Sequence, residues 1–280
     1  MQIYLPHPIS KDHAVMSSTP QKEIPNKLER YELKYLIPES WIAPISDYLS
    51  IYCSLDHHSK KRQDHFYMVY SLYLDSPSLT FLQQRMHNAE NRFNMRIRTY
   101  DIQECLPCFL EIKQKKNTVI KKYRAKIDVT DWPDFLAQKI SDHMSSQEII
   151  TLFYRLLQSY NASPKVFTQY RRKAYVSDID DYARATFDID LKACRQSEYK
   201  LSSGDQRMSN YDHELTFPPG TNVILELKCF TTKFPLWMID LIKQFNLERQ
   251  RFSKYVSSLT ESYSLNVLSD PYQLISFKHF

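Results

Sequence analysis

Only two glycines, Gly204 and Gly220, occur in the 280 residues, against an ordinary usage of about 7%. A Walker loop or a dinucleotide fingerprint needs several glycines at fixed offsets, so that backbone amides can approach phosphate. Neither can be assembled from two, so any phosphate bound here must be held by side chains. No apolar run is long enough to cross a bilayer. The opening MQIYLPHPISKDHAVMSSTPQKEIPN lacks the basic start and apolar block of a secretory signal. Its Pro, Ser and Lys content reads as a flexible tail over residues 1–26. The expectation is a soluble, cytoplasmic protein with one domain over 27–280.

Cysteine is sparse and unpaired in pattern. Five occur, Cys53, Cys105, Cys108, Cys194 and Cys229, with one close pair and no second pair at zinc-site spacing. Cys105-Leu-Pro-Cys108 lies between two strand-like segments and not at a helix start, which disfavours a redox role. Reduced thiols are expected. Charge of one sign is not dominant either: 37 Lys and Arg face 32 Asp and Glu, a formal net charge of +5. That balance alone implies no polyanion partner.

The chain is rich in strand-like segments. Arg30 to Leu36, Tyr67 to Leu74, Asn94 to Tyr100, Cys108 to Lys113, Val119 to Val129, Val166 to Val176, Tyr182 to Leu191 and Val223 to Phe230 carry strand character. Helical periodicity falls between them, at Trp41 to Tyr52, Leu79 to Met86, Trp132 to Ile140, Gln147 to Tyr160, Pro235 to Phe245 and Arg251 to Tyr263. Polar residues, Pro and Gly make Arg195 to Pro219 a long loop. Consecutive strands with a short connection near Lys115 to Thr118 point to antiparallel pairing and an α+β layout.

Side chains two apart on a strand share a face. That rule pairs Glu32 with Lys34, Arg96 with Arg98, Glu111 with Lys113, Arg184 with Asp188 and Glu226 with Lys228, and aligns Lys122, Arg124 and Lys126. Arg172 lies in the similar run YRRKAY. Two architectures accommodate this. One is an open antiparallel sheet with an apolar face on the core and a solvated charged face. The other is a sheet closed into a barrel, charged faces inward and helices outside. Charges are costly to desolvate without partners, so such a lumen would be wet and would expect an anion. Arg and Lys neutralise phosphate oxygens. The glutamates among them make sense if magnesium sits between carboxylate and phosphate, as it does when one or two carboxylates and substrate oxygens share the ion.

The ordered series ERYELKY, RIR, FLEIK followed by KKYRA, YRRKAY, RATFDID, VILELK and FSKY resembles the catalytic domain of the vacuolar transporter chaperone (VTC) family. That family makes inorganic polyphosphate and belongs to the triphosphate tunnel metalloenzyme superfamily. The resemblance runs from about Lys27 to Tyr263. It implies a closed antiparallel β-barrel tunnel of about eight strands, with a charged interior and helices packed outside, in which ATP binds and polyphosphate leaves by the opposite end. It also implies a phosphate-binding set of Lys34, Arg96, Arg98, Lys113, Arg172, Arg184, Lys228 and Lys254, with Lys122 and Arg124 as additions. Of these, Lys34, Arg96, Arg98, Lys113, Arg172 and Arg184 join Glu226 as the catalytic group. Glu226 looks like the metal-binding glutamate, for Mn2+ or Mg2+, and Glu32 and Glu111 are further candidate ligands. Asp188 is a candidate partner for an Arg. Family members of the yeast type carry an SPX sensor domain and membrane helices; here the expectation is a stand-alone version with neither.

Phosphoryl transfer to an anionic acceptor needs positioning and charge compensation and no strong base. The expected activity is therefore transfer of the γ-phosphoryl of ATP to phosphate or growing polyphosphate. The alternatives are a triphosphatase or tripolyphosphatase, with Glu32 or Glu111 orienting water, and a non-catalytic polyphosphate or nucleotide binder. Cations spread over many strands, not massed in one helix or tail, disfavour nucleic acid. His57, His58 and His65 lie in a polar run read as a solvated loop. Ser253 beside Lys254 points away from it on a helix, and Trp237, Leu241 and Phe245 are read as helix packing.

Overall fold

The computed structural model describes residues 30–100, 108–117, 119–127, 148–204, 207–213, 217–230 and 233–263. The tail 1–26 and the helix expected at Trp132 to Ile140 lie outside them, as does Cys105. Ten strands are described: β1 (Arg30–Ile37), β2 (Cys53–Leu55), β3 (Tyr67–Asp75), β4 (Asn91–Thr99), β5 (Cys108–Lys116), β6 (Val119–Ile127), β7 (Ser163–Ser177), β8 (Ala183–Arg195), β9 (Ser209–Asn210) and β10 (Val223–Phe230). Six α-helices accompany them: α1 (Ile42–Leu49), α2 (His57–Lys60), α3 (Thr80–Met86), α4 (Glu148–Tyr160), α5 (Leu236–Gln244) and α6 (Lys254–Tyr263).

The strands form one antiparallel sheet in the order β1-β10-β8-β7-β3-β4-β5-β6, with β2 on β7 and β9 on β8. Among the described residues no hydrogen bonds join the edges β1 and β6, so the barrel is not closed by its backbone. The charged edge helps explain this: Lys121, Lys122, Arg124 and Lys126 stand exposed on β6, and such an edge resists further strand pairing. The sheet is nevertheless deeply curled. β1 and β5 are six positions apart, roughly 29 Å on a flat sheet at about 4.8 Å per strand. Yet Lys113 Nζ on β5 lies 2.7 Å from Glu32 Oε2 on β1. Two side chains cannot span a flat sheet of that width, so the charged face is concave.

The apolar alternates face outward and carry the helices. On β1, β8 and β10, Tyr35, Phe187, Leu225 and Leu227 pack with Ile45 and Leu49 of α1 and Trp237 and Leu241 of α5. On β4 and β5, Met95, Ile97, Leu110 and Ile112 join a second cluster with Phe81 of α3 and Ile150, Phe153 and Leu157 of α4. The buried positions of α4 recur at three- and four-residue spacing, so its 13 residues present one continuous apolar stripe.

Helix α6 departs from the all-helices-outside arrangement. Its Tyr255 ring lies 5.0 Å from that of Tyr73, a residue of the concave face, and its hydroxyl bonds Asp75. The start of α6 therefore covers part of the charged side. The segment read as a solvated loop at His57 is a short helix, capped where Asp56 Oδ1 accepts the Ser59 amide at 2.9 Å, and His58 stacks on Tyr100 with centroids 4.9 Å apart. The long loop after Arg195 contains β9 and the fully buried Tyr211. Among the described residues no helix is long and apolar enough to cross a membrane.

Candidate functional site

Strand register sets the site. Lys34 lies opposite Glu226 and Glu32 opposite Lys228; Lys228 is opposite Arg184 and Arg172 opposite Asp188. Across the sheet, Tyr73 faces Arg96, Arg96 faces Glu111, and Glu111 faces Arg124 while Lys113 faces Lys122. Opposed residues of an antiparallel pair hold their side chains close enough to interact. The alternation seen in sequence thus becomes rows of charge along the concavity, mostly opposite pairs but with the like-charged pairs Lys228–Arg184 and Lys113–Lys122 among them.

Glu32 and Glu226 sit together where β1 meets β10, their carboxyls within hydrogen-bonding reach of each other. Lys34 Nζ lies 3.1 Å from Glu32 Oε1 and 3.7 Å from Glu226 Oε1, and donates to the Phe252 carbonyl at 3.1 Å. Lys228 Nζ is 2.6 Å from Glu226 Oε2. Burial works to raise the Glu32 carboxyl, but Lys113, Lys34 and Lys228 together hold it well below the carboxylate range. For Glu226, burial and Glu32 push up while Lys228 and Lys34 bring the carboxyl below its ordinary value. Both are therefore anions at neutral pH. Two carboxylates side by side, Glu32 partly exposed and Glu226 buried, fit a hard divalent cation that takes its other ligands from phosphate oxygens and water. Among the described residues no cluster of three His, Cys, Asp or Glu offers a fuller cage.

Glu111 occupies the opposite wall, 2% exposed. Arg96 Nε and Nη2 each lie 2.6 Å from its Oε2, Lys122 Nζ is 2.6 Å from Oε1, and Arg124 Nε 3.4 Å from Oε1. Burial raises this carboxyl and the cations outweigh it, Arg96 first, leaving it well below its ordinary value. With three cations on it, Glu111 is placed as their anchor. Desolvation, then Arg96 and Arg98, push the Lys122 ammonium down to about 7 against the pull of Glu111.

Asp188 is fully buried and holds Arg172 by a two-pronged bond, Nε to Oδ1 at 2.6 Å and Nη2 to Oδ2 at 2.7 Å. Lys254, from the start of α6, reaches the same Oδ2 at 2.6 Å. Arg172 Nη2 also comes within 3.9 Å of Glu226 Oε2, linking the two clusters. Arg184 stands at the end of the face and bonds Asp56 Oδ2 at 3.1 Å. Arg98 differs from all of these. It is 5% exposed, and its bonds go to neutral hydroxyls, Ser71 Oγ and Tyr170 Oη, each at 3.1 Å.

Every residue expected from sequence lies on the concave face, with Arg184 the most peripheral. The pattern did not reveal Tyr73 and Tyr170, whose hydroxyls meet Arg96 and Arg98, because tyrosine in an apolar run reads as core. For Tyr170 the available signal was its place two residues before Arg172; β3 carries no Lys or Arg and offered none for Tyr73. Asp56 lies outside any strand, and only its helix-capping position marks it.

The VTC domain matches residues 29–263. The chain belongs to the VTC domain family. No curated protein matches it. Among solved structures, this VTC domain is similar to a presumed adenylate cyclase from Bacillus halodurans, with 10% identity over 81% of this chain and 95% of that chain and a TM-score of 0.45. A protein of Pyrococcus horikoshii shares 13% identity over 83% of this chain and 98% of that one, with a TM-score of 0.41. The Mimivirus capping enzyme triphosphatase follows at 12% identity, 78% and 87% coverage and a TM-score of 0.32.

Proposed function

We propose that this VTC domain is a metal-dependent phosphotransferase that moves the γ-phosphoryl group of ATP to phosphate or to a growing inorganic polyphosphate chain. The observation that carries the reading is Arg98, a buried guanidinium bonded to hydroxyls which, among the described residues, has no carboxylate within ion-pair distance and feels Glu111 only from farther off. A buried cation that shares its nearest carboxylate, Glu111, with Arg96, Lys122 and Arg124 is short of direct anionic partners, and phosphate oxygens would supply them. Around it, cations outnumber carboxylates on the concave face, so a polyanion balances the site better than a neutral substrate does.

In this reading Arg96 and Arg98 grip the triphosphate by their planar forks, and Glu111 keeps Arg96 aligned. Tyr73 and Tyr170 fix the two guanidiniums from the other side. Arg172 and Lys254, held by Asp188, offset charge that develops between donor and acceptor. Glu226 and Glu32 would hold Mn2+ or Mg2+, which when bound neutralises phosphate charge and orients the transferring group. The acceptor is a phosphate oxyanion, so none of these residues needs to remove a proton. The buried, free Cys53, Cys108, Cys194 and Cys229 support a reducing, cytoplasmic setting.

Purified protein incubated with ATP and Mn2+, with products resolved on a polyacrylamide gel, tests the proposal. A phosphate ladder is expected. Orthophosphate and ADP without a ladder assign the site to hydrolysis, and unchanged ATP sinks both.

A further inference from the structure

The cationic row on β4 does not end at Arg96. Residues two apart share a face, so Asn94 and Arg92 continue the row of Arg98 and Arg96 toward the start of the strand. On β5 the row beyond Glu111 runs through Lys113 to Lys115, and register places Arg92 opposite Lys115. From Arg98 to Arg92 is about 20 Å of strand at roughly 3.4 Å per residue, a track longer than a triphosphate. Arg85, on α3, comes to the same end: Phe81, one turn before it, packs on Phe93, the neighbour of Arg92, with ring centroids 4.4 Å apart, and the Arg85 charge acts on Lys34, Glu32 and Arg92.

These two arginines are matched differently from the rest. Arg96, Arg172, Lys34 and Lys113 each meet a carboxylate. Among the described residues neither Arg85 nor Arg92 has one within ion-pair distance. Arg92 Nη1 donates to the Ala89 carbonyl at 2.6 Å, while its Nε is buried with no partner. Burial lowers the affinity of both guanidiniums for their protons, and Arg85 adds repulsion at Arg92. Half-buried cations that repel each other, with Glu32 acting on Arg85 only from beyond ion-pair distance, are a standing cost unless a ligand supplies the charge.

We propose that Arg85 and Arg92 form a second anion subsite, continuous with the first, that takes the distal phosphates of an inorganic polyphosphate chain and discriminates it from a triphosphate. Arg96 and Arg98 see three phosphates in either ligand, so the distinction falls to cations farther along the row, where Arg92 stands opposite Lys115. The subsite takes its ligand class from the phosphotransferase reading, and its test is binding alone.

Dissociation constants of the metal-free protein for medium-length inorganic polyphosphate and for tripolyphosphate, measured by calorimetry, are compared between wild type and Arg85→Gln/Arg92→Gln. The double variant weakens polyphosphate about tenfold or more, the loss expected for charge-assisted contacts, and leaves tripolyphosphate within about twofold. Arg85→Lys/Arg92→Lys, which keeps both charges, recovers most of the difference, and recovery separates an anion contact from a folding defect. Equal weakening of both ligands, or none of either, overturns the subsite while the phosphotransferase reading stands. Failure of wild type to bind tripolyphosphate both in chelator and with Mn2+ overturns both.

Discussion

The Lys113 ammonium lies 2.7 Å from Glu32 Oε2 although their strands stand six positions apart in the sheet. Glu32 in turn meets Lys34 and Glu226, so this one bond ties the free side of the sheet to the carboxylate pair. Where backbone hydrogen bonds do not close the sheet, a side-chain clasp holds the two walls in register across the concavity.

Lys113→Met removes the clasp and, in the proposed function, one phosphate contact. The expected result is a fall in kcat/KM for ATP of about tenfold, or 1.4 kcal/mol of transition-state stabilisation, with Lys113→Arg retaining most of it. Steady-state kinetics of both variants decide the point; an unaltered Lys113→Met would mean that the clasp does no positioning.

Asp188→Asn leaves Arg172 and Lys254 buried without their shared carboxylate. Stability should drop by about 3–5 kcal/mol, the cost of stranding buried charge, read as the shift of the urea midpoint. Burial works to raise the Asp188 carboxyl, but Arg172 and Lys254 overcome it and hold it below its ordinary value. Its contribution is therefore complete above the unfolded value near 3.9 and is lost only as pH falls from there toward the folded value. Added tripolyphosphate should recover more stability in the variant than in wild type, because the ligand replaces the missing anion.

Much of this site could be read from alternation alone. Glu32 with Lys34 and Glu226 with Lys228 share faces by the two-residue rule, and the register confirms them as cross-strand neighbours. What alternation could not give is curvature. A flat sheet and a curled one have the same local pattern, and the distinction appears only in contacts such as Lys113 with Glu32. For the same reason the expected backbone closure could not be judged from β6, where no closing hydrogen bonds occur among the described residues and whose exposed cations are as consistent with a wet edge as with a tunnel wall. Helix α6 was legible as a helix, but its seat on the charged side depends on Tyr255 and Lys254 finding Asp75 and Asp188, partners distant in sequence.

Glu226→Gln keeps the shape and removes one charge from the carboxylate pair. Mn2+-dependent turnover should fall at least a hundredfold, about 2.7 kcal/mol, while metal-free tripolyphosphate affinity holds or tightens because one anion has left the site. A titration of activity against Mn2+, paired with calorimetry in chelator, separates the two effects. Loss of anion affinity in chelator would instead place Glu226 as a support for Lys34 and Lys228.

Lys122 should give the concave face a pH response near neutrality. Glu111, Arg96, Arg98 and Arg124 surround it, Lys113 faces it across the strands, and its ammonium titrates at about 7, far below the unfolded value near 10.4. Above pH 7 the site loses one cation, so affinity for tripolyphosphate should weaken as pH rises from 6 to 8. Lys122→Arg, charged throughout, should flatten that step. His58, at the neighbouring Tyr100, does not imitate it, because burial lowers its proton affinity and moves its titration to the acid side. The sign for stability is opposite to that for binding. Between about 7 and 10.4 the unfolded chain holds a proton on this lysine that the folded one lacks, so stability rises with pH across that window. Lys122→Met should remove that slope, and urea midpoints measured at pH 7 and pH 9 for both proteins test it without reference to any ligand.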